Sequence, residues 1–171
     1  MKNTALYIGR FQPFHNGHLD AIQQIFAHDE VDFLIIGIGS AENDFSLRQP
    51  LTAGERFEMI LNILNEAKIP SKKYAIAPIR DIHRYCLWTK HVKSMVPHFD
   101  YVFSGSRIVR HLFQEYEKDV KVINLEKRLK ICATDIRDFM IQDNDKWQNL
   151  VPKSVTDFIK KIKAIDRLKV L

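Results

Sequence analysis

Cysteine is scarce in this sequence: Cys86 and Cys132 are the only two, far apart in a chain of 171 residues. Two distant thiols offer neither a disulfide framework nor a zinc-ligand spacing, and they point to a reducing cytoplasmic setting. No apolar run approaches the roughly 18 to 20 residues that span a bilayer, so no membrane partner is expected. The opening Met-Lys-Asn-Thr enters an apolar strand at once and lacks the longer apolar stretch and cleavage site of a signal peptide. No repeat, low-complexity tract or linker divides the chain. It is expected to form a single domain over residues 1–171, with a C-terminal helical part from about 134 to 171 packed on a sheet. No carboxylate cluster forms an evident cage for a metal ion, so no residue is read as a metal ligand.

The formal net charge of +5 raises the question of nucleic acid. The excess, however, is scattered or gathered on Lys153, Lys160, Lys161, Lys163, Arg167 and Lys169 of one amphipathic C-terminal helix and its tail. A solvated helix face explains that pattern. The interleaved aromatics of a single-strand platform are missing, and no nucleic-acid partner is expected. A modest positive balance equally suits an enzyme with phosphate-bearing ligands.

What is present is a regular alternation. Ala5 to Ile8 and Val31 to Gly39 are apolar runs that read as buried parallel strands. Thr52-Ala53-Gly54-Glu55 is a capping box opening a helix whose stripe is Phe57, Ile60, Leu61 and Leu64. Tyr74 to Ile79 is a strand, followed by a loop from Arg80 to Trp88 and a helix from Thr89 to Val96. Tyr101 to Phe103 and Val120 to Leu125 are further strands, separated by a helix carrying Ile108, Val109, Leu112 and Phe113. Thr134 is positioned to cap a helix over 135–142. After a polar stretch over 143–148, Pro152 suits the first turn of a last helix with Val155, Phe158, Ile159 and Ile162 inside. Strand–helix alternation of this kind predicts an α/β fold: a Rossmann-like, doubly wound parallel sheet with helices on both faces.

The chemistry-bearing stretch follows the first strand. Gly9 ends the strand, a turn carries Arg10, Gln12, His15 and His18, and Leu19, Ile22, Ile25 and Phe26 continue at helical spacing. Imidazole donors, a fork-shaped arginine, the amides after Gly17 and a helix dipole all favour an anion at one point. Two histidines near a helix start also read as surface residues or local caps. A metal reading fits poorly, because no third ligand stands at a recognisable spacing.

Gly9-Arg10-Phe11-Gln12-Pro13-Phe14-His15-Asn16-Gly17-His18 resembles the signature of the nucleotidyltransferase superfamily, built on His-x-Gly-His. Its longer form resembles that of the archaeal-type nicotinamide-mononucleotide adenylyltransferases. Three further stretches are similar to blocks of that family. They are Gly37 to Ala41 with Arg48 to Arg56, Asp81-Ile82 with Leu87-Trp88, and Cys132-Ala133-Thr134-Asp135-Ile136-Arg137. Cys132 stands where the family usually has Ser, and Tyr85 where archaeal relatives tend to have Asn.

The resemblance implies an adenylyl transfer that joins ATP and nicotinamide mononucleotide to give NAD and pyrophosphate. Mg²⁺ would be carried with ATP. Such a reaction needs no protein nucleophile, so Cys86 and Cys132 are not read as one. It implies His18, His15, Arg10 and Arg137 as catalytic residues. Gly9, Arg10, Phe11, His15, Gly17, His18, Gly105, Thr134 and Arg137 would form an ATP site. Gln12, Ser40, Arg48, Asp81, Ile82, Tyr85 and Trp88 would form the acceptor site, with the Trp88 indole facing a pyridinium cation. Arg48 also reads as a surface arginine and Trp88 as a core residue. His83, His91, His98 and His111 read as surface or local structural residues. The family resemblance implies a homo-oligomer. Alternatives are a sister adenylyl- or cytidylyltransferase acting on another phosphate acceptor, and a non-catalytic nucleotide- or nucleic-acid-binding module.

Overall fold

The computed structural model describes residues 3–126 and 129–171; Met1 and Lys2 of the opening tetrapeptide lie outside the described residues. Five parallel strands form one sheet: β1 (Thr4–Gly9), β2 (Phe33–Ile38), β3 (Tyr74–Pro78), β4 (Tyr101–Ser104) and β5 (Lys121–Asn124), in the order β3-β2-β1-β4-β5. In register, Tyr7 of β1 lies beside Ile36 of β2 and Phe103 of β4. The helices are α1 (Asn16–Phe26), α2 (Ala53–Glu66), α3 (Tyr85–Met95), α4 (Arg107–Tyr116), α5 (Ala133–Ile141), α6 (Lys153–Lys161) and α7 (Ala164–Val170).

The period of two along each strand sorts its side chains to opposite faces. Ala5, Tyr7, Leu34, Ile36, Ile38, Tyr101 and Phe103 enter one core with residues of α1, α2, α5, α6 and α7. Leu6, Ile35 and Val102 enter a second core with Val92 of α3 and Phe113 of α4. Both faces are therefore covered, which is why β2 can be a continuous apolar run. Helix α6 lies on α2, which itself contacts β2 and β3.

Several boundaries differ from the sequence expectation. The stripe of α2 is rotated: Arg56, Met59, Ile60, Ile63 and Leu64 are buried, while Phe57 is exposed. A guanidinium is taken inside because backbone carbonyls surround it. Helix α3 begins at Tyr85 rather than Thr89, so Tyr85 and Trp88 belong to its first turn. The α5 N-cap is Cys132, and Thr134 sits inside the first turn rather than capping it. The expected last helix is two, broken at Lys163, whose φ of 53° is left-handed. The polar stretch before it holds a 3-10 turn, Asp145–Leu150, that buries Trp147.

One buried charge lies far from the strand ends. The Glu117 carboxylate has no exposed surface and accepts from Thr89 Oγ1 at 2.9 Å, Lys90 Nζ at 2.9 Å and Lys93 Nζ at 3.0 Å. It ties the end of α4 to α3. Lys90 is largely exposed to water and Lys93 also pairs with Asp119, whereas Thr89 is fully buried. Glu117→Ala is expected to destabilise the fold by about 1–3 kcal/mol, the scale of an orphaned buried hydroxyl, in a urea titration. An unchanged midpoint would show that this cluster holds nothing.

Candidate active site

The order of the strands reverses between β1 and β4, and a crevice opens beyond the carboxyl ends of these strands. β1 delivers Gly9 to its edge. A Cβ at Gly9 would lie 2.8 Å from the Phe11 ring, so only glycine fits under that ring. Phe11 is itself buried, with a left-handed φ of 52°. Its ring stacks on Phe14 at 5.6 Å and meets His18 edge-on at 4.9 Å. This aromatic bed fixes the histidines: the His15 and His18 rings stack with centroids 3.7 Å apart.

The His15 backbone N–H donates to His18 Nδ1 at 3.2 Å. Because Nδ1 accepts, a neutral His18 carries its proton on Nε2. Burial and the neighbouring His15 hold the His18 pKa well below the ordinary imidazole value. Burial alone lowers that of His15 to about 4. Both rings are therefore neutral near pH 7 and act as dipolar donors rather than cations. Among the described residues His15 Nδ1 is buried and has no hydrogen-bond partner.

Two cavities meet here. The larger, about 910 Å³, runs past Gly9, His15, Gly17 and His18 to Gly105, Arg107 and Cys132. The smaller, about 300 Å³, is bounded by Arg10, Gly39, Ser40, Asp81 and Trp88. Ile8, Gly9 and Ser106 line both and form the wall between them. Ser106 precedes α4, whose first turn has no side-chain cap, so free amides end at this wall.

The structure thus brings Gly9, His15, Gly17, His18 and Gly105 to the larger cavity, and Arg10, Ser40, Asp81 and Trp88 to the smaller one. Arg10, expected with ATP, lines the smaller space. Trp88 contacts Phe113 edge-on at 5.8 Å, so one side of the indole is core and another is site. Other expected residues stand elsewhere. Gln12 is buried, and its amide is fully engaged with Leu51, donating to the carbonyl at 2.8 Å and accepting from the N–H at 2.9 Å. It clamps the turn to the β2–α2 loop instead of facing an acceptor. Tyr85 is 69% exposed, and neither it nor Ile82 lines the smaller cavity. Phe11 supports His18 from below.

Arg137 is buried and donates to Leu47 O at 2.9 Å, Gln12 O at 2.7 Å and Thr134 Oγ1 at 3.2 Å. Rather than lining the larger cavity, it straps the turn to the loop, and Thr134 serves it. Burial and then the nearby Arg10 cation, with Arg48 beyond, lower its pKa. Three arginines therefore share one region.

Four residues have no site role in the sequence reading, which took Arg167 for part of a solvated helix face. Arg107 and Lys130 line the larger cavity. Arg167 of α7 donates to Pro50 O at 3.0 Å, grips both Glu55 oxygens at 2.7 Å and covers the Phe45 ring at 4.6 Å. Arg56 has no exposed surface and donates to six backbone carbonyls: Thr52, Arg10, Gly39, Ser40, Ala41 and Asn43. Its sequence signal is spacing: Arg56, Met59, Ile60 and Ile63 lie on one helical face.

Among the described residues, no group of three or more His, Cys, Asp or Glu could hold a metal ion, and no helix is long and apolar enough to cross a membrane. Cys86 and Cys132 are both free and exposed.

A cytidylyltransferase-like family model matches residues 6–139. Nicotinamide-nucleotide adenylyltransferase from Thermococcus kodakarensis is 42% identical over 171 residues, covering all of this chain and 89% of that protein. The protein of the same name from Methanosarcina barkeri is 44% identical over 165 residues, covering 96% of this chain and 92% of that one. A bifunctional NMN adenylyltransferase/ADP ribose pyrophosphatase from Francisella tularensis shares the fold, with a TM-score of 0.78 at 23% identity. The likeness covers 99% of this chain and 53% of that one.

The buried histidine sets a pH dependence. Unfolded His15 titrates at its ordinary 6.5 and folded His15 at about 4, so between these values the unfolded chain takes a proton that the native site refuses. Stability falls as pH drops from 6.5 to 4, by about 3 kcal/mol for this group over the full window, and the loss levels off below it. The difference in unfolding free energy between pH 7 and pH 4.5 is expected to be about 2–3 kcal/mol smaller in His15→Gln than in wild type. Equal differences would remove the buried neutral imidazole as the cause.

Proposed function

The chain belongs to the nicotinamide-nucleotide adenylyltransferases of the cytidylyltransferase-like family, and from that membership we propose that it joins ATP to nicotinamide mononucleotide, giving NAD and pyrophosphate. The observation that carries this reading is the pair of adjoining cavities with a shared wall of Ile8, Gly9 and Ser106. Two nucleotides held on either side of such a wall would meet at their phosphates. In this reading ATP occupies the larger space and the mononucleotide the smaller.

A phosphate oxygen of the mononucleotide attacks the ATP α-phosphorus, a new P–O–P bridge forms, and the bond to the β-phosphate breaks with release of pyrophosphate. The nucleophile arrives as an anion, so no protein base is required. The protein contributes positioning and stabilisation of the developing charge. His18, as the Nε2–H donor, supports the α-phosphate in the transition state without giving up its proton. His15 stacks on it and lines the triphosphate side. Gly17 and Gly105 leave room for ATP, and Arg107 and Lys130 add charge on that side. Arg10 meets the acceptor phosphate, Arg48, which does not line the smaller cavity, adds its charge near Arg137, and Trp88 presents its indole to the pyridinium. Ser40 and Asp81 complete the acceptor pocket. Arg137 adds a fixed positive charge from beneath.

Mg²⁺ enters as the ATP complex, since the described residues offer no cage of their own. The two unpaired thiols fit a reducing cytoplasm. Assembly into a homo-oligomer belongs to the same proposal, and light scattering reads it directly.

Purified protein given ATP and Mg²⁺ is expected to release pyrophosphate and form NAD with nicotinamide mononucleotide. No product with that acceptor, and turnover with a different phosphate acceptor instead, would reassign the substrate. His18→Ala is expected to lower kcat by about 100-fold or more, the scale of losing one preorganised donor. Near-normal turnover in the folded variant would remove His18 from the chemistry.

A further inference from the structure

One side of the smaller cavity is made where two strands end. Gly9 closes β1 and Arg10 opens the turn after it, and Gly39 and Ser40 belong to the turn after β2. In the second turn Ser40 is left-handed without being glycine, at φ 49°. Such a conformation is strained and persists only where surrounding contacts over-determine it.

One side chain contacts both turns. Arg56 Nη1 donates to Arg10 O at 3.1 Å and to Gly39 O at 2.9 Å. Arg56 Nη2 donates to Ser40 O at 3.2 Å, Ala41 O at 3.4 Å and Asn43 O at 3.3 Å. Beyond the Gly39 N–H that donates to Gly9 O at 2.9 Å at the end of the β1–β2 ladder, this one planar fork is a side-chain bridge between the two turns. Among the described residues Arg56 forms no salt bridge; Asp44 and Glu42 act on it only at longer range. The larger cavity, by contrast, takes only Gly9 from this set of residues.

We infer that Arg56, which touches no ligand in this reading, is the positioning residue that sets the shape of the acceptor cavity and hence the affinity for the mononucleotide. The inference rests on the proposed assignment of the two cavities. Its chemistry is the fork: a lysine at 56 keeps the charge but presents its donors from one point and cannot bridge both turns. The larger cavity keeps its own supports, the aromatic bed under His18 and the β4 edge.

The test compares wild type and Arg56→Lys in steady-state kinetics, with each substrate varied against saturating partner, alongside calorimetric titration of nicotinamide mononucleotide and of a non-hydrolysable ATP analogue. Wild-type turnover decides the proposed reaction by itself, and the titrations read the split between cavities without any turnover. Arg56→Lys is expected to raise KM and Kd for the mononucleotide about 10- to 100-fold, the scale of a misplacement near 1 Å, and to leave those for ATP within about threefold. Arg56→Ala is expected to regain mononucleotide affinity when guanidinium is added at millimolar concentration. Equal losses for both nucleotides, no loss for either, or variants that do not fold and are not rescued by guanidinium would each overturn the inference and leave Arg56 a purely structural residue.

Discussion

A guanidinium enclosed by carbonyl oxygens is the constraint on which the strand ends depend. Taking a cation out of water is costly, and a single carboxylate partner would hold it at one point. Arg56 is instead surrounded by dipoles, six carbonyls from three segments. Burial pulls its pKa down to about 10, which still leaves it charged at neutral pH. The arrangement uses Nε, Nη1 and Nη2 of the fork, and it explains how so much irregular backbone can be packed beneath the crevice with its carbonyls satisfied.

The site above this support has a division of electrical labour. Its histidines are neutral, pressed together on a bed of phenylalanine rings. Its cations stand further out, Arg10 and Arg48 at the surface and Arg137 below. A phosphate drawn in by the arginines would meet donors that carry dipoles and no net charge. Neutral donors need not release a proton as the phosphorus changes partners, so stabilisation is available before the reaction begins.

Much of this was legible in the sequence, and the rest was hidden for identifiable reasons. Continuous apolar runs and their spacing sufficed for a parallel sheet covered on both faces, because burial on two sides leaves that trace. The turn after β1 was legible from the concentration of His, Arg and Gly at a strand–helix junction. The role of Gln12 was not, since a buried amide clamp and a ligand contact use the same side chain. Arg56 was hidden by the habit of reading charged residues as outward-facing, which turned the α2 stripe toward Phe57. The break at Lys163 has no glycine or proline to mark it. Tyr85 was misplaced because the first turn of α3 was read as loop.

The clasp made by Arg167 ties together positions that are remote in sequence. Glu55 closes the capping box at the start of α2 by accepting from Thr52 N–H, and the same carboxylate is held by the last helix, whose guanidinium also covers Phe45. Positions 45, 55 and 167 therefore form one unit of inheritance. A change at Arg167 removes an ion pair and a ring contact together, and a change at Glu55 removes a cap and that ion pair. Homologous chains can drift at this corner only by compensated replacement, so the three positions are expected to co-vary.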